Sequence, residues 1–438
     1  MPLSLPDSLW AATAPPAPPQ SSLNGDVKTD VAIVGAGFTG LRAALVLAQQ
    51  GVNVVVADAG QIGWGASGRN GGQVNPIAHE APEVIRRKWS TLLDKKQAAA
   101  YTERFTQAYL NTADELFELV REHNIQCDAE QNGWIRAAHG PAAVPAFEKL
   151  MQGWNAAGAG LEALDQQMLE KMSGARGYQQ GWLAKRAGSV QPLSYARGLA
   201  TAALNAGATI YADTHISKLE QKAGKWALST ANGTITAEQV LLCTNGYSDE
   251  LFPGLRASIV PVISIQSATQ VLSKQQIAEI LPGRQTFADS RRVIFYWRKT
   301  AENRLVFGSA GIADEIAGPS ERKRILTGLR TVYPQFSGLR PEYIWGGRIA
   351  VTHDHLPHIH QPAPGLYAGL GYNGRGVAMA TMMGRLLAER VLDKSADEMP
   401  LPLTGIKKYP FHRFHRTGIR LLVPWMEFRD RREAKQSG

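Results

Sequence analysis

The chain has 438 residues, 44% of them hydrophobic and 19% charged, with a formal net charge of +9. This length suits two domains, and the composition is that of a soluble globular protein; no apolar run reaches the roughly 20 residues of a membrane span and no basic region precedes an apolar one at the N-terminus, so a cytoplasmic location is expected. Two cysteines, Cys127 and Cys243, give neither a disulfide framework nor a zinc set, and Cys243 sits in a strand-like run where a buried thiol is the default.

Residues 11–19, Ala-Ala-Thr-Ala-Pro-Pro-Ala-Pro-Pro, read as an extended arm within an N-terminal segment 1–27. The apolar run Val31 to Val34 then predicts a buried parallel strand, ended at Gly35, whose missing Cβ permits a tight turn. Ala36 and Gly37 continue the turn, and Gly37 lets phosphates approach the backbone. From Phe38 and Thr39 the periodicity becomes helical, with Leu41, Ala44, Leu45 and Leu47 near one face, while Gly40 allows that helix to pack close to the strand. Val52 to Ala57 predict the next strand. It ends at Asp58, followed by Ala59, where a carboxylate can accept bonds from ribose hydroxyls. Strand, turn, helix, strand and acid in register predict a dinucleotide held by its pyrophosphate at a helix N-terminus.

The next stretch, Ile62 to Gln73, contains five glycines, too many for a good helix or strand. It reads as a backbone-dominated loop able to wrap a large flat ligand, with Gly65, Ala66, Gly71, Gly72 and Gln73 in close approach and Ser67, Arg69 and Asn70 as polar handles; a flexible surface loop is the alternative. Helical patterns follow near Ala98 to Glu122 and Ala142 to Ala157. Gly188 to Pro192 open another helix, and strand patterns cover the regions of Ala208 to Leu219, Trp226 to Thr230 and Val240 to Cys243, the last followed by Thr244, Asn245, Gly246 and Tyr247. From Ile259 to Ile349 apolar and polar residues alternate in several places, as in Arg291 to Trp297, which predicts an antiparallel sheet. Leu366 to Leu370 predict a strand, Gly371, Tyr372, Asn373 and Gly374 a turn, and Arg375, Gly376 and Val377 the start of a long helix to Leu392. No acid lies near that helix's N-terminus, so its dipole can face a negative charge.

The Gly35 turn, Asp58 and the Gly65-to-Gly72 loop together resemble the FAD-dependent amine and amino-acid oxidases of the D-amino-acid oxidase superfamily, most closely the γ-glutamylputrescine oxidase branch. Supporting matches are His215-Ile216 in a following strand, Tyr296-Trp297-Arg298, Trp345-Gly346-Gly347, Asp354 with Pro357, and the Gly371-to-Val377 turn. The resemblance implies an α/β protein with a Rossmann-like FAD-binding domain (28–80, 181–250 and 345–395) interleaved with an α+β substrate domain (81–180 and 251–344) built on a mostly antiparallel sheet that roofs the flavin. A C-terminal basic segment, 396–438, follows. It further implies non-covalent FAD, reached by the Gly35–Gly40 turn, Asp58, the glycine loop, Ile216, Thr244–Gly246 and Gly371–Val377, with Asn373 and Gly374 offering backbone contacts near the pyrimidine edge.

The implied reaction is hydride transfer to flavin N5 from the carbon bearing an amine nitrogen, leaving an imine that water hydrolyses. The cofactor carries the chemistry, so no acid/base residue is named. Tyr296 and Trp345 either wall the site or are core; Arg298 and Arg348 either pair with a substrate carboxylate or form surface ion pairs. The substrate is expected to be a polyamine derivative, such as γ-glutamylputrescine, with oxygen as acceptor giving hydrogen peroxide. The alternative is a dehydrogenase or oxidase of an N-substituted or cyclic amino acid that passes electrons to a carrier. Readings from other classes are an RNA-modifying flavoprotein, motivated by the charge, and a non-catalytic FAD-bearing subunit. Basic residues are scattered except near the C-terminus, so nucleic acid is not expected as a partner, and the oligomeric state is left open.

Two segments invite further readings. His353, His355, His358 and His360 alternate like metal ligands, but Asp354 and Pro357 fit the family's loop; no metal is expected, and His355 is a pocket candidate. From His412 to Arg432, cations mix with Phe414, Leu421, Leu422, Trp425, Met426 and Phe428. These apolar residues are expected to pack on the body with the charges solvated, a membrane surface or a partner being the alternative.

Overall fold

In the first strand, Val31 and Ile33 are buried on one side and Ala32 and Val34 on the other; in the second, Val54 and Val56 oppose Val55 and Ala57. Strands apolar on both faces must be covered on both, which is the environment of a parallel sheet. A computed structural model, describing residues 3–311 and 315–435, shows that sheet. Five parallel strands lie in the order Leu366–Leu370, Thr234–Leu242, Val27–Val34, Val54–Ala57 and Thr209–Tyr211. The edge is extended by His358–Ala363, antiparallel to its neighbour, and by Leu403–Thr404. Helices Phe38–Gln49, Pro192–Asn205 and Gly376–Val391 cover one face.

The second sheet has the order Pro341–Thr352, Ile259–Val271, Arg304–Ala310, Phe295–Lys299, Thr286–Asp289, Trp134–Ala137, Gln180–Ala184 and Glu162–Asp165. Every pairing is antiparallel except Thr286–Asp289 with Trp134–Ala137. The chain is therefore α/β, with a Rossmann-like sheet and a mostly antiparallel roof, as the resemblance implies. Two expected junctions fall inside roof strands: Gln180–Ala184 spans 180/181, and Pro341–Thr352 spans 344/345.

Three local expectations are corrected. The segment over 11–19 does not begin extended: Leu9–Thr13 is helical, because Ser8 caps it by accepting from the Ala11 N–H and because Leu9 and Trp10 find buried sites. His215 and Ile216 lie between strands Thr209–Tyr211 and Lys218–Lys222, not within one. The C-terminal helix His415–Lys435 leaves Leu421, Leu422, Trp425 and Phe428 exposed, since its acidic residues, together with Val423, meet the body instead.

Candidate active site

A cavity of about 610 Å³ runs between the two sheets, from the Gly35 turn and Asp58 at one end to the roof strands at the other. At the nucleotide end Gly35 has φ +112°, and a Cβ there would come 2.9 Å from the Cys243 carbonyl oxygen. A Cβ on Gly40 would lie 2.0 Å from the Gly35 carbonyl oxygen, so the helix can approach the strand only with glycine there. The missing Cβ of Gly37 makes room for Ser67: the Ser67 Oγ would stand 2.8 Å from it, and accepts from the Phe38 N–H at 3.0 Å. Ser67 thus caps a helix whose own N-cap offers no side chain.

Asp58 closes this end. Its carboxylate accepts from the Ala36 N–H at 2.6 Å and the Gly60 N–H at 2.9 Å. Burial nevertheless raises its pKa, outweighing those two bonds, so further donors such as ribose hydroxyls would stabilise the charge.

The Gly65–Gln73 loop is held from within and from above. Asn70 donates to the Ala66 and Ser67 carbonyls and accepts from the Gly72 N–H. Arg69 donates to the Trp64 carbonyl and pairs with Glu315 at 3.1 Å. These two expected polar handles therefore line the cavity while bonded to protein, and Gln73 ties the loop to the Phe287 and Trp297 carbonyls of the roof.

On the floor, Tyr372, Asn373, Gly374, Arg375, Gly376 and Val377 line the cavity at the start of helix Gly376–Val391, which has no acid in its first turn. The Asn373 N–H donates to the Ala350 carbonyl, so among the two expected backbone donors only Gly374 can face a ligand with its N–H. Gly35, Gly37, Phe38, Thr39, Asp58, Ala59, Ile216, Thr244 and Asn245 also line the cavity. Ala36, Gly40, Gly72, Gly246 and Gly371 do not, and serve as close-packed backbone around it.

The roof contributes Ser264, Gln266, Ala288, Tyr296 and Gly347, and at its far end Trp134 and Arg136. Tyr296 is half-buried, its hydroxyl bonded to Ser264 and Gln266, and the desolvation of that hydroxyl pushes its pKa up to about 12. The other aromatic candidate, Trp345, lies behind the glycine loop, donating to the Arg69 carbonyl and packing on Trp10. Arg298 is likewise structural: it donates to the Gly71 and Val190 carbonyls and stacks over Trp10. Arg348 lines the cavity but pairs with Glu315 at 2.6 Å. His355 is exposed outside the main cavity, while His358 pairs with Asp354 at 3.1 Å and stacks on His360.

Two residues not singled out from the sequence, Arg136 and His79, converge with the expected Arg375 beside the roof strand Trp134–Ala137. Arg136 is half-buried, with its Nε and Nη1 buried and unbonded among the described residues, and desolvation, with Arg375 nearby, pushes its pKa down to about 9. Arg375 donates to the Ile77 carbonyl and stacks over Trp134 at 5.0 Å, with its Nε unbonded. His79 Nε2 lies 2.7 Å from the Asn373 carbonyl oxygen and must donate to it, which leaves Nδ1 to accept from Arg375 at 3.3 Å. Burial and then the arginine charges lower the His79 pKa well below its ordinary value, so the ring is neutral near pH 7. Two cations with buried, open donors, whose neighbouring acid Asp289 is already paired with Arg291, are a site for an anion.

The sequence pattern of the FAD dependent oxidoreductase (DAO) family matches residues 30–390. The chain belongs to this family. It is 32% identical over 440 residues to the probable oxidoreductase OrdL of Rhizobium meliloti, covering 98% of this chain and 99% of that one. It is 29% identical to the γ-glutamylputrescine oxidoreductase of Escherichia coli over 92% of each. In fold it is similar to glycine oxidase from Geobacillus kaustophilus, with TM-score 0.71 and 22% identity over 86% of this chain and 98% of that one.

The cofactor is FAD, and the residues present fit it: a glycine-lined turn at a helix N-terminus, an acid at the ribose position, and a cavity continuing beneath the roof. Cys243 lines that cavity, but burial raises its pKa far above neutrality, so no thiolate faces the coenzyme. When bound, FAD would supply the hydride acceptor for oxidation at the carbon beside an amine nitrogen. Tyr296 from the roof and the N-terminus of helix Gly376–Val391 from the floor line the cavity in which that chemistry would take place. The chain is an FAD-dependent oxidoreductase acting on amine or amino-acid C–N bonds.

Proposed function

We propose that this enzyme oxidises an amine bearing a remote carboxylate, with γ-glutamylputrescine the leading candidate, and that oxygen is the acceptor. The products would be an aldehyde, ammonia and hydrogen peroxide. What supports this reading is Arg136, whose buried, open donors belong to a cavity-lining roof strand and have Arg375 as a neighbouring cation. A carboxylate there would restore the charge balance, while the amine at the other end of an extended substrate reaches the centre of the cavity. The similarity to the γ-glutamylputrescine oxidoreductase of Escherichia coli agrees with it. A cytoplasmic location fits two cysteines that are both buried and unpaired.

The test is anaerobic reduction of the FAD-loaded enzyme by γ-glutamylputrescine and by putrescine, which lacks the carboxylate. The first should bleach the flavin at far lower concentration. Arg136→Met should raise its KM by about 100-fold or more, as loss of a buried charge partner does, and leave putrescine nearly unaffected. Equal KM values for the two amines, or an Arg136→Met enzyme indistinguishable from the parent, would refute the assignment. Admission of air then assigns the acceptor, since an oxidase regains its yellow colour rapidly and a dehydrogenase slowly.

A further inference from the structure

The C-terminal helix His415–Lys435 is oriented with its acids inward. Glu427 bonds to Arg324. Asp430 accepts from the Arg292 side chain at 3.0 Å and from the Val293 N–H at 3.0 Å. Glu433 bonds to Arg292 at 2.8 Å and lies 3.6 Å from His139. His139, Asp430 and Glu433 converge as metal ligands might, but Arg292 supplies the positive charge between the two carboxylates. On this face Val423 is the buried apolar residue, so the helix docks through charge as much as through packing.

The opposite face is apolar. Phe414, just ahead of the helix, and Leu421, Trp425 and Phe428 within it are spaced by seven, four and three residues and share one stripe, with Leu422 beside it. Their relative exposures are 53%, 73%, 51% and 62%, and Phe411 at the approach is 77% exposed. Six arginines, Arg413, Arg416, Arg420, Arg429, Arg431 and Arg432, are also exposed along this segment. Arg416, Arg420 and Arg432 have no acidic partner among the described residues. All three acids of the helix are turned inward, so the outer face carries one sign of charge.

We propose that this face binds the surface of an anionic phospholipid bilayer as an in-plane amphipathic helix. A strongly cationic flank beside a stripe of Leu, Trp and Phe on a helix of 21 residues matches the chemistry of the headgroup boundary. A second copy of the chain would bring arginine against arginine with no exposed acid to offset them. No helix among the described residues is long and apolar enough to cross a membrane, so the attachment is peripheral.

The experiment is co-sedimentation of the full-length FAD-loaded enzyme with vesicles of phosphatidylcholine alone or with about 30% phosphatidylglycerol, at low and at high salt. Binding should need the anionic lipid and fall at least tenfold in high salt, because the arginine contribution is screened. Trp425→Ala with Phe428→Ala should lower it at least tenfold, and Arg416→Gln with Arg420→Gln at least threefold. Both variants should keep the parent's flavin spectrum and turnover, which shows that they fold. Equal, weak association with both vesicle types overturns the proposal. So does a dimer in solution that the Trp425→Ala, Phe428→Ala variant converts to monomer, since the stripe would then be covered by another copy.

Discussion

At the nucleotide end of the cavity the polar side chains are already bonded to the protein; at the roof end two arginines keep guanidinium nitrogens that are not. Asp58 and Ser67 bind backbone groups of the Gly35 turn and the helix start, and Asn70 binds those of its own loop, so the ligand is met mainly by backbone N–H groups and glycine surfaces. Arg136 and Arg375 instead bury guanidinium nitrogens with nothing to bind. The difference teaches where each kind of recognition resides. A constant cofactor is read by backbone shape, which local sequence dictates, whereas a variable substrate is read by uncompensated charge, which only the assembled fold creates.

The comparison is tested most severely at Gly40. A valine there would force its Cβ into the Gly35 carbonyl oxygen, 2.0 Å away, and Gly40→Val should cost about 3 kcal/mol or more of stability and abolish FAD retention. Thermal unfolding with and without added FAD checks this; an unchanged Tm and a normal flavin content would break the backbone-shape account. Arg298→Met sharpens the contrast, because Arg298 belongs to the roof yet grips the loop of the other end. It should weaken FAD binding about tenfold while leaving KM for the amine unchanged, as its donors meet the Gly71 and Val190 carbonyls and not the cavity. Fluorescence titration of apoenzyme with FAD, paired with steady-state kinetics, separates the two effects.

The smallest effect concerns pH. His79 is held neutral by burial and by Arg375, so the charge of the roof-end pocket should not change as pH crosses the ordinary histidine range. The affinity of an unreactive carboxylic acid, followed by flavin difference spectra, is therefore expected to be flat from about pH 6 to about 8. Affinity that climbs as pH falls below about 7 would mean that His79 gains a proton and joins the arginines as a third cation.

The Gly35 turn, strand Leu366–Leu370 and the helix starting at Gly376 were legible because each is a short-range pattern, with a glycine where the backbone must turn or approach closely. The roles of Arg298 and Trp345 were not, because a strand's alternation says which residues share a face but not what lies over that face. Arg136 left one faint signal. In Trp134-Ile135-Arg136-Ala137 the alternation puts Trp134 and Arg136 on one side, while Ile135 and Ala137 join the core on the other. Whether such an arginine meets water or a cavity depends on Thr286–Asp289, some 150 residues later, which pairs in parallel beside it. The C-terminal helix misled for a related reason: its apolar stripe suggested an inward face, but Arg292 and Arg324, distant in sequence, attract its acids instead.

Trp10 bears on biosynthesis. Its indole N–H holds the Asn70 carbonyl at 2.8 Å, and its ring is pressed between Arg298 and Trp345. It leaves the ribosome well before Arg298 and Trp345, which follow it by 288 and 335 residues. The coenzyme's cradle is thus completed late, and a nascent chain must wait for its distal segments before it can load the prosthetic group.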